Sequence, residues 1–157
     1  MIYIIAKPKL YAAYGSSLHR FTMTQRCPKA NIVGSSELMD YMLLFRGPNG
    51  SATATIEPHS GTKVPVIIWE LTASDEDSLD KYKDSSLFRK ETVNIKLGRK
   101  AIQAMTFIMN TDIMTPPGCP STDYYDTIFE AYMDSNFNLR ILIYALLRSF
   151  IMKGETQ

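Results

Sequence analysis

The sequence predicts an α+β fold, a small mixed β-barrel flanked by helices, and three observations carry that reading. Strand-like apolar runs dominate the middle of the chain, glycine-bearing turns of hairpin length join several of them, and helical patterns punctuate the series. Five or more strands joined in this way, with few charges inside them, curl so that their edges are hidden.

The strands fall at residues 1–6, 9–13, 30–45, 52–57, 64–71, 88–97 and 100–109, the longer ones with room for bulges. GPNGS after Phe45, HSGTK after Pro58 and LGRK from Leu97 read as turns that make consecutive strands antiparallel neighbours. A first helix, 18–26, is stopped at Cys27 and Pro28, because the residue before a proline is pushed out of helical conformation. A second, 74–82, opens on the capping pattern SDED. The third, 121–134, follows the breaker PPGCP and sets Tyr125, Ile128, Phe129, Tyr132 and Met133 on one apolar stripe to be buried. The last, 138–152, carries only Arg140 and Arg148 as charges, so most of its circumference is apolar, and it is too short to span a bilayer. Two uses of its second face are open: a subunit interface, giving a homo-oligomer through 138–152, or burial deeper in its own core.

The 157 residues fit one domain, with 1–9 as an extra N-terminal segment. An apolar content of 45% and a net charge of +1 describe a soluble globular chain without the electrostatic pull that a nucleic acid polymer requires. The run MIYIIA is broken by Lys7, Pro8 and Lys9, so no secretory leader is expected. Cys27 and Cys119 are far apart and each lies beside a proline, which gives neither a disulfide framework nor zinc spacing. These features predict a cytoplasmic location, with no membrane, metal or cofactor.

Local motifs alone carry little chemistry. His19 and His59 lie in unrelated contexts and read as solvated, no serine sits in a GxSxG elbow, and SDEDSLD reads as a solvated helix start rather than a metal site. AYGSSLHR differs from these. Gly15, Ser16 and Ser17 sit at a strand-to-helix seam, where backbone N–H groups lose their partners and can cradle an electron-rich ligand.

The order of the pieces takes the reading further. YAAYGSSLHRF, RCPKANIVGSSELMDYMLLFRG, ATATIEP, GTKVPVIIWELT, SLDKYKDSSLFRKE and PSTDYYDTIFEAY together resemble the gamma-glutamylcyclotransferase-like family, over roughly residues 10–137. The resemblance implies a pocket at the glycine loop, lined by Tyr14, Gly15, Ser16, Ser17, Leu18, Lys83, Phe88 and Tyr124. It also implies an internal cyclisation, in which the substrate's α-amine attacks its own γ-carbonyl, releasing 5-oxoproline with a glutamate as base.

Here the chain departs from the family pattern. LDKYKD followed by LF stands where the family writes LDxYEG and LY, so Lys83 occupies the glutamate position, Asp84 the glycine position and Phe88 a tyrosine position, with Ser17 in place of a usual asparagine. A protonated amine cannot take up a proton and repels an α-ammonium. The leading expectation is therefore a non-catalytic member that binds or sequesters a small anionic metabolite or nucleotide-like signal; Lys83 itself reads first as a solvated lysine on a rebuilt loop, and the sharper alternative turns it toward the pocket to pair with the anion. One alternative is an active cyclotransferase using an uncharged Lys83 or a displaced carboxylate such as Asp84. Another is a protein-interaction module acting through the apolar C-terminal helix. Tyr124 is divided between pocket and helix packing, and Glu57 and Glu91 are outward-facing strand positions by default.

Overall fold

The computed structural model describes residues 8–110 and 115–155, with the helix backbone alone over 152–155. The strand expected at 1–6 lies outside the described residues. The chain runs β1 (Lys9–Ala13), a 3-10 turn (Ser16–Leu18), α1 (Arg20–Arg26), β2 (Asn31–Arg46), β3 (Thr53–Leu71), α2 (Ala73–Tyr82), β4 (Phe88–Leu97), β5 (Lys100–Met109), α3 (Thr122–Asp134) and α4 (Leu139–Glu155). One sheet holds the five strands in the order β2-β3-β1-β5-β4. It is mixed, because β1 runs parallel to β5 while the other neighbours are antiparallel.

The sheet curls without closing, which corrects the expected barrel. β2 and β4 share no ladder and meet instead through side chains. The Ser36 hydroxyl donates to the Lys96 carbonyl, and a Cβ at Gly34 would lie 2.7 Å from Leu97 Cδ1. Side chains wedged between the two edges keep the backbones from the ~4.8 Å separation that a ladder needs. A cleft of about 650 Å³ between Ser35–Met39 and Asn94–Ala101 remains in the seam.

GPNGS and LGRK turn as expected, β2 pairing with β3 and β4 with β5 as hairpins. HSGTK does not reverse the chain. Pro58 pairs with Tyr41 and Lys63 with Met39, so 59–62 bulge out of one long strand opposite Asp40. Asp40, at φ 64°, accepts the Gly61 amide on Oδ1 at 3.0 Å and pins the bulge. A glycine there signals a bulge or a turn equally well, and the matched apolar runs on both sides choose the bulge.

The helices also differ in detail. The first expected helix divides into the 3-10 turn and α1, because His19 stays extended and its Nδ1 caps the Thr22 amide at 3.3 Å. His19 Nε2 also lies 3.4 Å from a Glu130 carboxylate oxygen, so this histidine is half-buried rather than solvated, while His59 is exposed. Thr72, not Ser74, caps α2 through the Asp75 amide. In α3 the buried residues are Ile128, Ala131 and Tyr132, whereas Phe129 and Met133 face outward, a rotation of the expected stripe. α4 buries Leu142, Ala145 and Ser149 and leaves Ile143, Tyr144, Leu147, Phe150 and Ile151 exposed, which decides against a helix sunk in its own core.

Candidate active site

β1 delivers the chain to the glycine turn from inside the sheet, with Tyr11, Ala12 and Ala13 buried. The amides of Leu18 and His19 bond back to the carbonyls of Gly15 and Ser16 at 3.0 and 3.1 Å and close the 3-10 turn. Among the described residues, the amides of Gly15, Ser16 and Ser17 find no backbone carbonyl. These three, rather than the amides at the start of the helix, are the donors available to a ligand. Gly15 has φ −110°, and a Cβ there would sit 3.5 Å from Ala54 Cβ and 3.6 Å from the Tyr124 hydroxyl, ordinary contact distances. A methyl at this position finds room in the free protein.

Tyrosines surround the turn. The Tyr14 hydroxyl donates to the Phe107 carbonyl, and Tyr124, from the first turn of α3, accepts the Ala54 amide at 3.0 Å beside Gly15. That acceptor role leaves the Tyr124 hydrogen to donate, so the residue serves the site and the packing together. Burial pushes Tyr11 and Tyr124 each up to about 12 and Tyr14 well above its ordinary value, so all three remain neutral donors at physiological pH.

Arg26 covers the serines of the turn. Its Nη1 donates to both Ser16 Oγ and Ser17 Oγ at 2.9 Å, its Nη2 donates to the Tyr82 hydroxyl, and its guanidinium carbon lies 3.6 Å from the Tyr82 ring centroid. The serines, with Tyr14 and Leu18, are consequently buried. Tyr82 is the last residue of α2, and Lys83 follows it as the C-cap.

Lys83 turns inward. Its Nζ lies 4.6 Å from the Phe88 centroid and 5.7 Å from that of Phe107, facing a cavity of about 270 Å³ whose wall includes Asp80, Ser85 and Lys90. Lys90 ties up Asp80 at 2.8 Å and also reaches Glu76, which Lys9 holds from the other side. Two acids and two lysines balance there, and among the described residues Lys83 makes no salt bridge. Burial, aided by the nearby Arg26 charge, lowers Lys83 to about 8.

The structure separates the other candidates from this group. Asp84 is exposed and caps its own turn, its Oδ1 accepting the Ser86 amide and hydroxyl at 2.9 and 2.6 Å, so it does not swing in as a substitute base. Glu57 is bound by Arg46 and Glu91 by Arg89, each at 2.6 Å. Phe107 joins the glycine turn to the Lys83 cavity, because its carbonyl receives Tyr14 and its ring faces Lys83. Sequence reading missed Tyr11, Arg26, Tyr82 and Phe107. Arg26 alone had a signal, a lone cation in the last turn of a helix beginning at the glycine seam.

A curled mixed sheet with a strand-to-helix glycine turn, open amides and tyrosines around the turn defines the architecture of the domain. The family described as gamma-glutamyl cyclotransferase, AIG2-like, matches residues 11–126, and the chain belongs to that family. A gamma-glutamylcyclotransferase from Bos taurus is 34% identical over 79 residues, which cover 46% of this chain and 42% of that protein, less than half of either. The fold matches a solved gamma-glutamyl cyclotransferase with TM-score 0.76 at 24% identity, covering 88% of this chain and 86% of that one. YkqA from Bacillus subtilis matches with TM-score 0.72 at 18% identity, over 88% of this chain and 53% of its own.

Proposed function

We propose that this chain holds a small anionic metabolite between the glycine turn and Lys83 without turning it over. The observation that carries this reading is the charge balance of the site: Lys83 faces the cavity without an acid partner among the described residues, and Arg26 stands beside the open amides. An anion adds the missing countercharge, whereas the α-ammonium of a γ-glutamyl substrate meets repulsion. On the reading that LDKYKD corresponds to the family's LDxYEG, Lys83 stands where the cyclisation needs a proton acceptor. A mostly protonated amine does not serve as one at neutral pH.

Thermal denaturation with added glutarate or inorganic phosphate tests this. The melting temperature should rise with ligand concentration in the wild type and stay fixed in Lys83→Ala. An equal rise in both proteins removes Lys83 from the site. Gly15→Ala should fold as the wild type does and lose most of the ligand-induced shift, because its methyl has room in the free protein but stands in the path of a ligand approaching the turn. If Gly15→Ala keeps the full shift, the anion binds elsewhere.

The lowered pKa of Lys83 favours one second reading, a cyclotransferase with the neutral amine as base. Release of 5-oxoproline from γ-glutamyl amines would then rise with pH through about 8.

A further inference from the structure

We propose that Lys83 captures a small carbonyl acid covalently, as an imine, with the acid's carboxylate lodged at the glycine turn and Arg26. The inference rests on the anion-binding reading above and names the ligand class, a short 2-oxo acid. Three features of the site carry it. The amine of Lys83 faces an open cavity of about 270 Å³, and among the described residues no carboxylate neutralises it. The rings of Phe88 and Phe107 lie 4.6 and 5.7 Å from the amine and replace part of the water that would solvate an ammonium. Arg26, whose guanidinium rests on the Tyr82 ring and bonds Ser16 and Ser17, acts on the Lys83 amine through its charge, so a cation tied to the glycine turn lies within electrostatic reach of the amine.

An amine of this kind differs from the other lysines among the described residues. Lys9, Lys63 and Lys90 are paired with carboxylates, and Lys29, Lys81, Lys96 and Lys100 are exposed. Ion pairing and solvation both hold a lysine in its charged, unreactive form, while desolvation next to another cation releases the neutral nucleophile. The lowered pKa of Lys83 agrees with that placement. The step balances without a redox partner. Lys83 first gives its extra proton to solvent, and its lone pair then adds to the carbonyl carbon. The carbonyl oxygen takes up a proton to form a carbinolamine, and loss of water leaves a protonated imine. The imine retains one positive charge beside the bound carboxylate, and the glycine-turn amides hold the acid in place. Capture of this sort retains a metabolite without converting it.

Incubation of the full chain with pyruvate and cyanoborohydride near neutral pH, followed by peptide mass mapping, tests the proposal. Reduction fixes any imine as a carboxyethyl amine. Lys83 should be labelled about tenfold or more faster than the exposed lysines, as its larger neutral fraction requires. Glutarate should compete with the labelling, and acetaldehyde, which lacks the carboxylate, should label Lys83 poorly. Labelling spread evenly over Lys29, Lys81, Lys96 and Lys100, or equal labelling of Lys83 by acetaldehyde, overturns the proposal. Lys83→Arg should lose the adduct. A wild-type protein that glutarate stabilises but pyruvate does not label retains the anion-binding reading and refutes the imine. If neither effect occurs, both readings fail. The wild-type peptide map decides even where a variant does not fold.

Discussion

Lys83→Glu should acquire 5-oxoproline release from γ-glutamyl amines at neutral pH, where the wild type shows none above background. A carboxylate at this position has a pKa near 4.3 when unperturbed and rises on burial, which brings it toward the range a general base needs. Restoring such a base is worth about a hundredfold to ten-thousandfold in rate. The substitution also replaces a charge that repels the substrate's α-ammonium with one that attracts it. The surroundings already hold the other parts: open amides at Gly15, Ser16 and Ser17, and the Tyr124 hydrogen beside them. Chromatographic detection of 5-oxoproline gives the answer. A silent Lys83→Glu protein that still folds would show that Asp84 or Phe88 disables the site independently of the base. Wild-type turnover equal to that of the variant would end the non-catalytic reading.

Lys83→Met should raise thermal stability near neutral pH, the reverse of what most substitutions in a packed region do. The wild-type fold holds an ammonium against the rings of Phe88 and Phe107 without an acid partner among the described residues, and burial, aided by the Arg26 charge, lowers Lys83 to about 8. The shift corresponds to about 3 kcal/mol at ~1.4 kcal/mol per pKa unit. Attraction of the ammonium to the two ring faces, about 0.5–2 kcal/mol, is lost with it, so a net gain of about 1–2 kcal/mol is expected. The pH dependence gives a second check. Between the folded value near 8 and the ordinary value near 10.5, the unfolded chain binds more protons at this site than the folded one. Wild-type stability therefore contains a contribution that grows as pH rises through that window and is absent below it. Denaturant unfolding of both proteins at several pH values should show the Met variant's advantage shrinking across the window. An advantage that is absent or independent of pH places the amine in water.

Much of the fold was legible because its signals are local. The short apolar run LYAA marked β1, runs with β-branched and aromatic residues marked β4 and β5, glycine turns marked two hairpins, and Ser121 after PPGCP marked the start of α3 within a residue. HSGTK misled because a bulge and a hairpin use the same residues, and only the partner strand tells them apart. The stripe of α3 misled for a related reason. Periodicity finds an apolar face, but the buried edge of that face depends on what packs there, and Ala131 faces the core while Met133 faces out.

The candidate site divides in the same way. The glycine turn and the Lys83 position could be read from short motifs, since a turn's chemistry is written in consecutive residues. The Arg26 link to the serines and to Tyr82 could not, because it joins residues 56 apart in sequence. Asp84 shows the limit most plainly: it neighbours Lys83 in the chain, yet one points into the cavity and the other caps a turn in solvent.

By itself the amino-acid sequence determined the family and most of the strand and helix positions, and it raised the expectation of a lysine where the family pattern has an acid. The tertiary structure decided that the sheet stays open between β2 and β4, that Lys83 lies against Phe88 and Phe107, and that Arg26 covers the glycine turn. The physical reason is desolvation, since a lysine's charge and reactivity depend on which distant side chains exclude water from it, and only the assembled fold brings those side chains together.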